Sequence, residues 1–197
     1  MADEQAEKKI DFQKLSESIQ SIMVTAERGM AISGVAKLDD CLKQLLRAFF
    51  INNEKACDAL LDEPGPVSTF GARIELAFVL GLISGNERNT FNLIRKIRND
   101  FSHGSDERSF QTPPIKDRCL NLDPTPGIWK LISNSKPLDP NNPQELFLGS
   151  LRFLVAAIAY RGEALPRRQE PGSVTDEQLA SLIEAEMKAS ERHKEKG

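Results

Sequence analysis

The sequence predicts an all-α helical bundle, on three observations. Apolar residues recur three and four apart over long stretches. No run shows the period of two that a half-buried strand needs. The interruptions fall on clusters of Pro, Gly, Asn and Asp, which stop helices for known backbone reasons. No internal repeat is present. The 197 residues suffice for one domain with a real core and an appendage. The expected organisation is a bundle over 1–163, a linker over 164–174, and a polar C-terminal helix or tail over 175–197.

Taken in order, a first helix runs from Asp11 to Arg28 on the stripe Phe12, Leu15, Ile19 and Ile22. Gly29 and Gly34 are expected to loosen the chain before a second helix reaches Ile51, burying Val35, Leu38, Leu42, Leu45, Leu46 and Phe49. Asn53 can cap a short helix through Leu61. Leu61-Asp62-Glu63-Pro64-Gly65-Pro66 is a firm break. Ser68 or Thr69 caps the next helix, Phe70 to Ile83. It is apolar nearly all round and so is expected in the centre, with Gly85 ending it. Asn86 then caps a helix whose stripe is Phe91, Ile94, Ile97 and Phe101, with Gly104 as its C′ residue. Ser105 to Pro143 is rich in Pro, Asn and Asp; short helices are expected at Ile115–Leu120 and Ile128–Ile132. A further helix begins near Pro143 and runs through Gly162, burying Leu146, Leu148, Leu151, Phe153, Leu154, Ala157 and Ile158. Thr175-Asp176-Glu177-Gln178 spells a capping box and opens a last helix with the narrow stripe Leu179, Leu182, Ile183 and Met187. That helix either is a solvated tail or docks on a partner or a second copy.

The net charge of −3 argues against a surface that grips nucleic acid as a whole. No apolar run is long enough to span a membrane, and the charged opening Met1 to Lys9 is unlike a signal peptide, so a cytoplasmic protein is expected. Cys41, Cys57 and Cys119 form no C-x-x-C pair and fit reduced thiols. With His193 the one other histidine beside His103, a metal site is not expected, and no cofactor motif is present.

The densest cluster of chemically capable groups is Arg98-Asn99-Asp100-Phe101-Ser102-His103. At about 100° per residue, Arg98 lies about 40° from Ile94, the middle of the apolar face, while His103 points away from the core. A partly buried guanidinium needs an acid or carbonyls. Glu75 and Asp39 are the expected partners, in an ion pair that holds helix register. The other role for the cluster is chemical. Imidazole can move a proton near neutral pH, and guanidinium can hold a phosphate; metal-free RNA cleavage needs both. Arg98 and His103 diverge on an undistorted helix, so they could meet only by local unwinding or across a dimer interface. The basic run Arg95-Lys96-Arg98 is a candidate phosphate or partner contact, with no helix-turn-helix or zinc-finger spelling beside it.

Leu60-Leu61-Asp62-Glu63-Pro64-Gly65-Pro66, the helix Phe70 to Ile83, and Ile97-Arg98-Asn99-Asp100-Phe101-Ser102-His103 together resemble the mannitol operon repressor (MltR) family, over roughly Leu38 to Gly104. Arg98, the polar Asn99, and His103 five residues after the arginine also resemble the R-x4-6-H motif of the HEPN superfamily. Those domains are all-α and usually dimeric; some are metal-independent ribonucleases, others binding or regulatory modules. The resemblance implies a HEPN-like bundle with an accessory C-terminal helix. On the MltR side it implies a repressor-type regulator that works through protein partners without reading DNA alone; because HEPN domains are usually dimeric, a homodimer is expected. On the HEPN side it implies a toxin-like ribonuclease acting on RNA, with Arg98 and His103 cleaving and Asn99 orienting the phosphate.

Overall fold

The computed structural model describes residues 12–103, 108–122, 138–166 and 168–194, with side chains there except those of 12–19, 186 and 188–194. Gly104 and the expected helix Ile128–Ile132 lie outside the described residues. Seven helices form among the described residues: α1 Phe12–Phe49, α2 Glu54–Leu61, α3 Phe70–Val79, α4 Gly85–His103, α5 Pro113–Leu120, α6 Pro143–Ala164 and α7 Asp176–Lys194. The one β feature among them is an isolated parallel bridge between Ile51 and Arg168. The chain is all-α, as expected.

The expected break at Gly29 and Gly34 does not occur. α1 is one helix of 38 residues, about 57 Å long at 1.5 Å per residue. A glycine inside a helix costs about 1 kcal/mol, and packing outweighs it here. Ala31, Val35, Leu38, Leu42, Leu45 and Leu46 make a continuous buried face. Gly34 serves that packing, because a Cβ there would stand 2.9 Å from Leu151 Cδ1 on α6. Ile22, by contrast, is exposed, so the stripe expected to bury the first helix does not bury it there.

α1, α4 and α6 pack on one another, with α3 against α1 and α4, and α5 against α4 and α6. Phe91, Ile94, Ile97 and Phe101 of α4 are fully buried, as their spacing predicts. Phe70 of α3 meets Phe91 edge-on at 6.1 Å. Phe101, Phe110 and Phe147 continue as a chain of rings 5.1 and 5.2 Å apart, linking α4, the turn before α5, and α6. The Phe110 backbone N–H donates to Glu27 Oε2 at 2.7 Å, which ties that turn to α1.

Two boundaries differ from expectation. α3 stops at Val79, not Ile83. Gly81 takes φ +71°, and the N–H groups of Gly81 and Leu82 donate to Phe78 O and Ala77 O. That is a Schellman stop, which needs the left-handed region that glycine enters freely. Gly85 then begins α4 instead of ending α3, and Ser84, not Asn86, caps it. The Ser84 N–H donates to Glu87 Oε2 at 2.7 Å, and the Glu87 N–H donates to Ser84 Oγ at 3.3 Å, a reciprocal capping box. Nor is α3 buried all round: Glu75, Phe78 and Val79 face outward.

The caps at Asn53, Thr69 and Thr175 form as the sequence predicts. After α6 the chain returns to the bundle. The Asn52 N–H donates to Arg168 O at 3.1 Å, and the Arg168 guanidinium lies 3.7 Å above the Phe49 ring.

Candidate functional site

α4 carries the candidate cluster, and its continuity to His103 decides the geometry. Arg98 is half-buried and His103 exposed, as helical phase requires. Five residues apart on an unbroken helix, they point about 140° away from each other. Asn99 is half-buried between them. The Ser102 hydroxyl donates back to Arg98 O at 2.9 Å, a contact within the helix.

The expected pairing of Arg98 with Glu75 or Asp39 is not the arrangement found. Asp39 accepts from Arg73 Nη1 at 2.6 Å. Arg73 is the buried cation among the described residues: its Nη2 also donates to Leu61 O at 2.9 Å and to Ser68 O at 2.6 Å. On α3, Arg73 shares the inward side with Phe70, Ile74 and Ala77, whereas Glu75 is turned about 200° from it and faces solvent. Glu75 therefore meets α4 from outside. It pairs with Arg88 Nη2 at 2.5 Å and accepts from Asn92 Nδ2 at 3.4 Å. The hydrogen bond from Arg88 holds the Glu75 carboxyl below the usual range. The Arg88 guanidinium also sits 4.7 Å over the Phe78 ring.

Arg95 and Lys96, the candidate phosphate or partner contacts, part company. Arg95 is half-buried, lies against Gly71 of α3, and donates to Asn92 Oδ1 at 3.4 Å. Lys96 is exposed.

Three sets of polar contacts escaped the sequence reading. Glu87 is buried and bonds Arg161 Nη1 of α6 at 2.8 Å. Burial alone would raise its carboxyl, but the bonds from Arg161 and Ser84 outweigh it and hold it below the ordinary glutamate range. Ser84-Gly85-Asn86-Glu87 spells S-x-x-E, so the cap was visible in the sequence; its tie to α6 was not. Asp100 pairs with Arg118 of α5, and its carbonyl accepts from Arg108 Nη1 at 2.9 Å. Two cations thus meet the C-terminal end of α4, where the helix dipole favours them. Around the break after α2, Lys43 and Arg47 of α1 pair with Asp62, and Arg47 also with Asp58. The hydrogen bond from Lys43 lowers the Asp62 carboxyl. The break is therefore braced on α1 by ion pairs on one side and by Arg73 on the other.

A cavity of about 590 Å³ opens where α1, α2 and α6 meet, edged by Arg47, Asn52, Asn53, Glu163 and Arg168. Arg168 also borders a smaller apolar recess of about 280 Å³ lined by Phe49, Phe50 and Leu60. The volume suits a small ligand. Its groups can hydrogen-bond and carry both charge signs, but they include no nucleophile–base pair. Burial pushes the Cys119 thiol up to about 12, which leaves it an inert core group. No cluster of His, Cys, Asp and Glu suited to a metal occurs among the described residues.

A family model described as mannitol repressor, MtlR, matches residues 14–148. A solved structure, described as the X-ray structure of the MtlR-HPr complex from Escherichia coli, is similar at 19% identity with a TM-score of 0.49, covering 73% of this chain and 99% of that one. Curated proteins give no match. The family match spans α1 to α5 and enters α6, and on that extent the chain belongs to the mannitol repressor family.

Proposed function

We propose that this protein is a cytoplasmic, repressor-type regulator of transcription that acts as a homodimer through protein partners and does not read DNA by itself. The family match over residues 14–148 carries the reading. The chemistry of α4 supports it. Arg88 is held by Glu75, Arg95 lies on α3, and Arg108 and Arg118 are drawn to Asp100. Among the described residues these cations serve helix contacts and leave no basic row comparable to a phosphate-gripping face. The net charge of −3 acts in the same direction.

The test is a reporter driven by a mannitol-operon promoter, read with and without this gene, beside gel-shift titrations of the purified protein on the same DNA. The reporter should rise when the gene is removed, while the protein alone gives no shift at low micromolar concentration. HPr, named in the Escherichia coli MtlR complex, is the first partner to add. An unchanged reporter, or tight salt-sensitive DNA binding by the protein alone, overturns the reading.

A further inference from the structure

α7 stands apart from the bundle. Leu179, Leu182, Ile183 and Met187 are 47%, 60%, 57% and 61% exposed, and the helix packs extensively on no other. An amphipathic helix of this length is marginal in water unless its apolar face is covered. It also lies beyond residue 148, where the family match ends, so its role is additional to the family frame.

Charge identifies what covers it. Residues 176–186 hold four acids, Asp176, Glu177, Glu184 and Glu186, and no Lys or Arg. Residues 187–194 hold Lys188, Arg192 and Lys194 against the single acid Glu191. We propose that α7 is a self-association helix that lies antiparallel on α7 of a second copy. A parallel pair would set acid against acid and base against base. The antiparallel pair sets Asp176 and Glu177 of each helix along Arg192 and Lys194 of the other, leaves Glu184 and Glu186 near the axis, and opposes the two helix dipoles. Centred between positions 184 and 185, it puts Leu182 level with Met187 of the second copy and Glu177 level with Arg192. The charges at the two ends of the helix are complementary to their own reverse, which singles out a second copy as the occupant. This rests on the homodimer in the proposed function and gives it an interface.

The experiment is sedimentation equilibrium of the full-length protein, from about 1 to 50 μM, at low and high salt. The wild type should dimerise, more weakly at high salt. Leu182→Asp with Ile183→Asp, both on exposed positions, should weaken dimerisation on the order of 100-fold without changing thermal unfolding of the bundle. Asp176→Lys with Glu177→Lys, and separately Arg192→Glu with Lys194→Glu, should each weaken it about tenfold, and mixing the two variants should restore a heterodimer. A wild-type monomer at 50 μM overturns both the homodimer and this interface. A wild-type dimer that every α7 variant retains overturns the interface and leaves the homodimer standing. A mixture no tighter than its components overturns the charge pairing, and with it the proposal.

Discussion

Replacing Arg73 with Ala should be among the most damaging single changes in the molecule. The side chain is 9% exposed, and its ion pair with Asp39, itself 25% exposed, is joined by bonds to two backbone carbonyls. Those carbonyls, Leu61 O and Ser68 O, belong to the segment between α2 and α3, so one guanidinium ties three elements together. Each hydrogen bond from a charged donor contributes about 1.5–3 kcal/mol when its removal strands the acceptor. Two such bonds give about 3 kcal/mol at the lower end. The Asp39 pair adds less than a fully buried pair would, because water reaches the carboxylate. The Arg73 Nε is buried without a partner, which offsets part of the gain. A loss of about 3–4 kcal/mol follows. Urea unfolding followed by circular dichroism would show it as a midpoint lowered by roughly 1–2 M. Arg98→Ala, which removes a half-buried guanidinium from a site without an acid partner among the described residues, should cost under about 1 kcal/mol. If Arg98→Ala proved the more damaging of the two, the assignment of Arg73 as the structural cation would be refuted.

Glu87→Gln keeps the capping-box geometry and removes the charge. Because the folded carboxyl titrates below its ordinary 4.5, the stability it adds is present above that pH and lost as pH falls through the lowered value. The gap between wild type and variant, about 1 kcal/mol at pH 7, should narrow below about pH 4.5; a gap flat from pH 7 to 3 would refute the latch to Arg161. Gly29→Ala, with open space around it, should raise stability by about 0.5–1 kcal/mol, whereas Gly34→Leu, aimed at Leu151, should lower it by about 1–3 kcal/mol. Thermal melts that gave both the same sign would show that α1 does not approach α6 at Gly34. Overexpressed wild type and His103→Ala should give equal growth and intact RNA; growth arrest with RNA cleavage by the wild type alone would establish the ribonuclease chemistry in place of the regulator.

Much of the fold was legible because helix periodicity and capping are local. The stripe of α4, the caps at Asn53, Thr69 and Thr175, and the start of α6 at Pro143 each depend on residues within one or two turns. The family resemblance from the break after α2, the apolar helix and the end of α4 was legible too, and the match over residues 14–148 agrees with it. Glycine misled the reading twice. Gly29 and Gly34 sit inside an unbroken α1, and Gly85 opens α4 where it was expected to end the helix before it. Intrinsic propensity of about 1 kcal/mol per glycine is small beside the burial of a long apolar face, so sequence-local rules yield there.

The choice of ionic partners lay beyond the sequence. Arg98 looked able to take an acid, and Asp39 and Glu75 able to supply one, whereas nothing in the sequence marked Arg73 as the cation that Asp39 meets. The sequence by itself determined the all-α class, the order of the helices, and the inward phase of α4. Only the tertiary structure decided that Asp39 meets Arg73, that Glu75 meets Arg88, and that Glu87 reaches Arg161. The physical reason is range. A helix face is set by residues three and four apart, whereas an ion pair between helices depends on crossing angles and offsets that arise when the whole apolar surface packs at once.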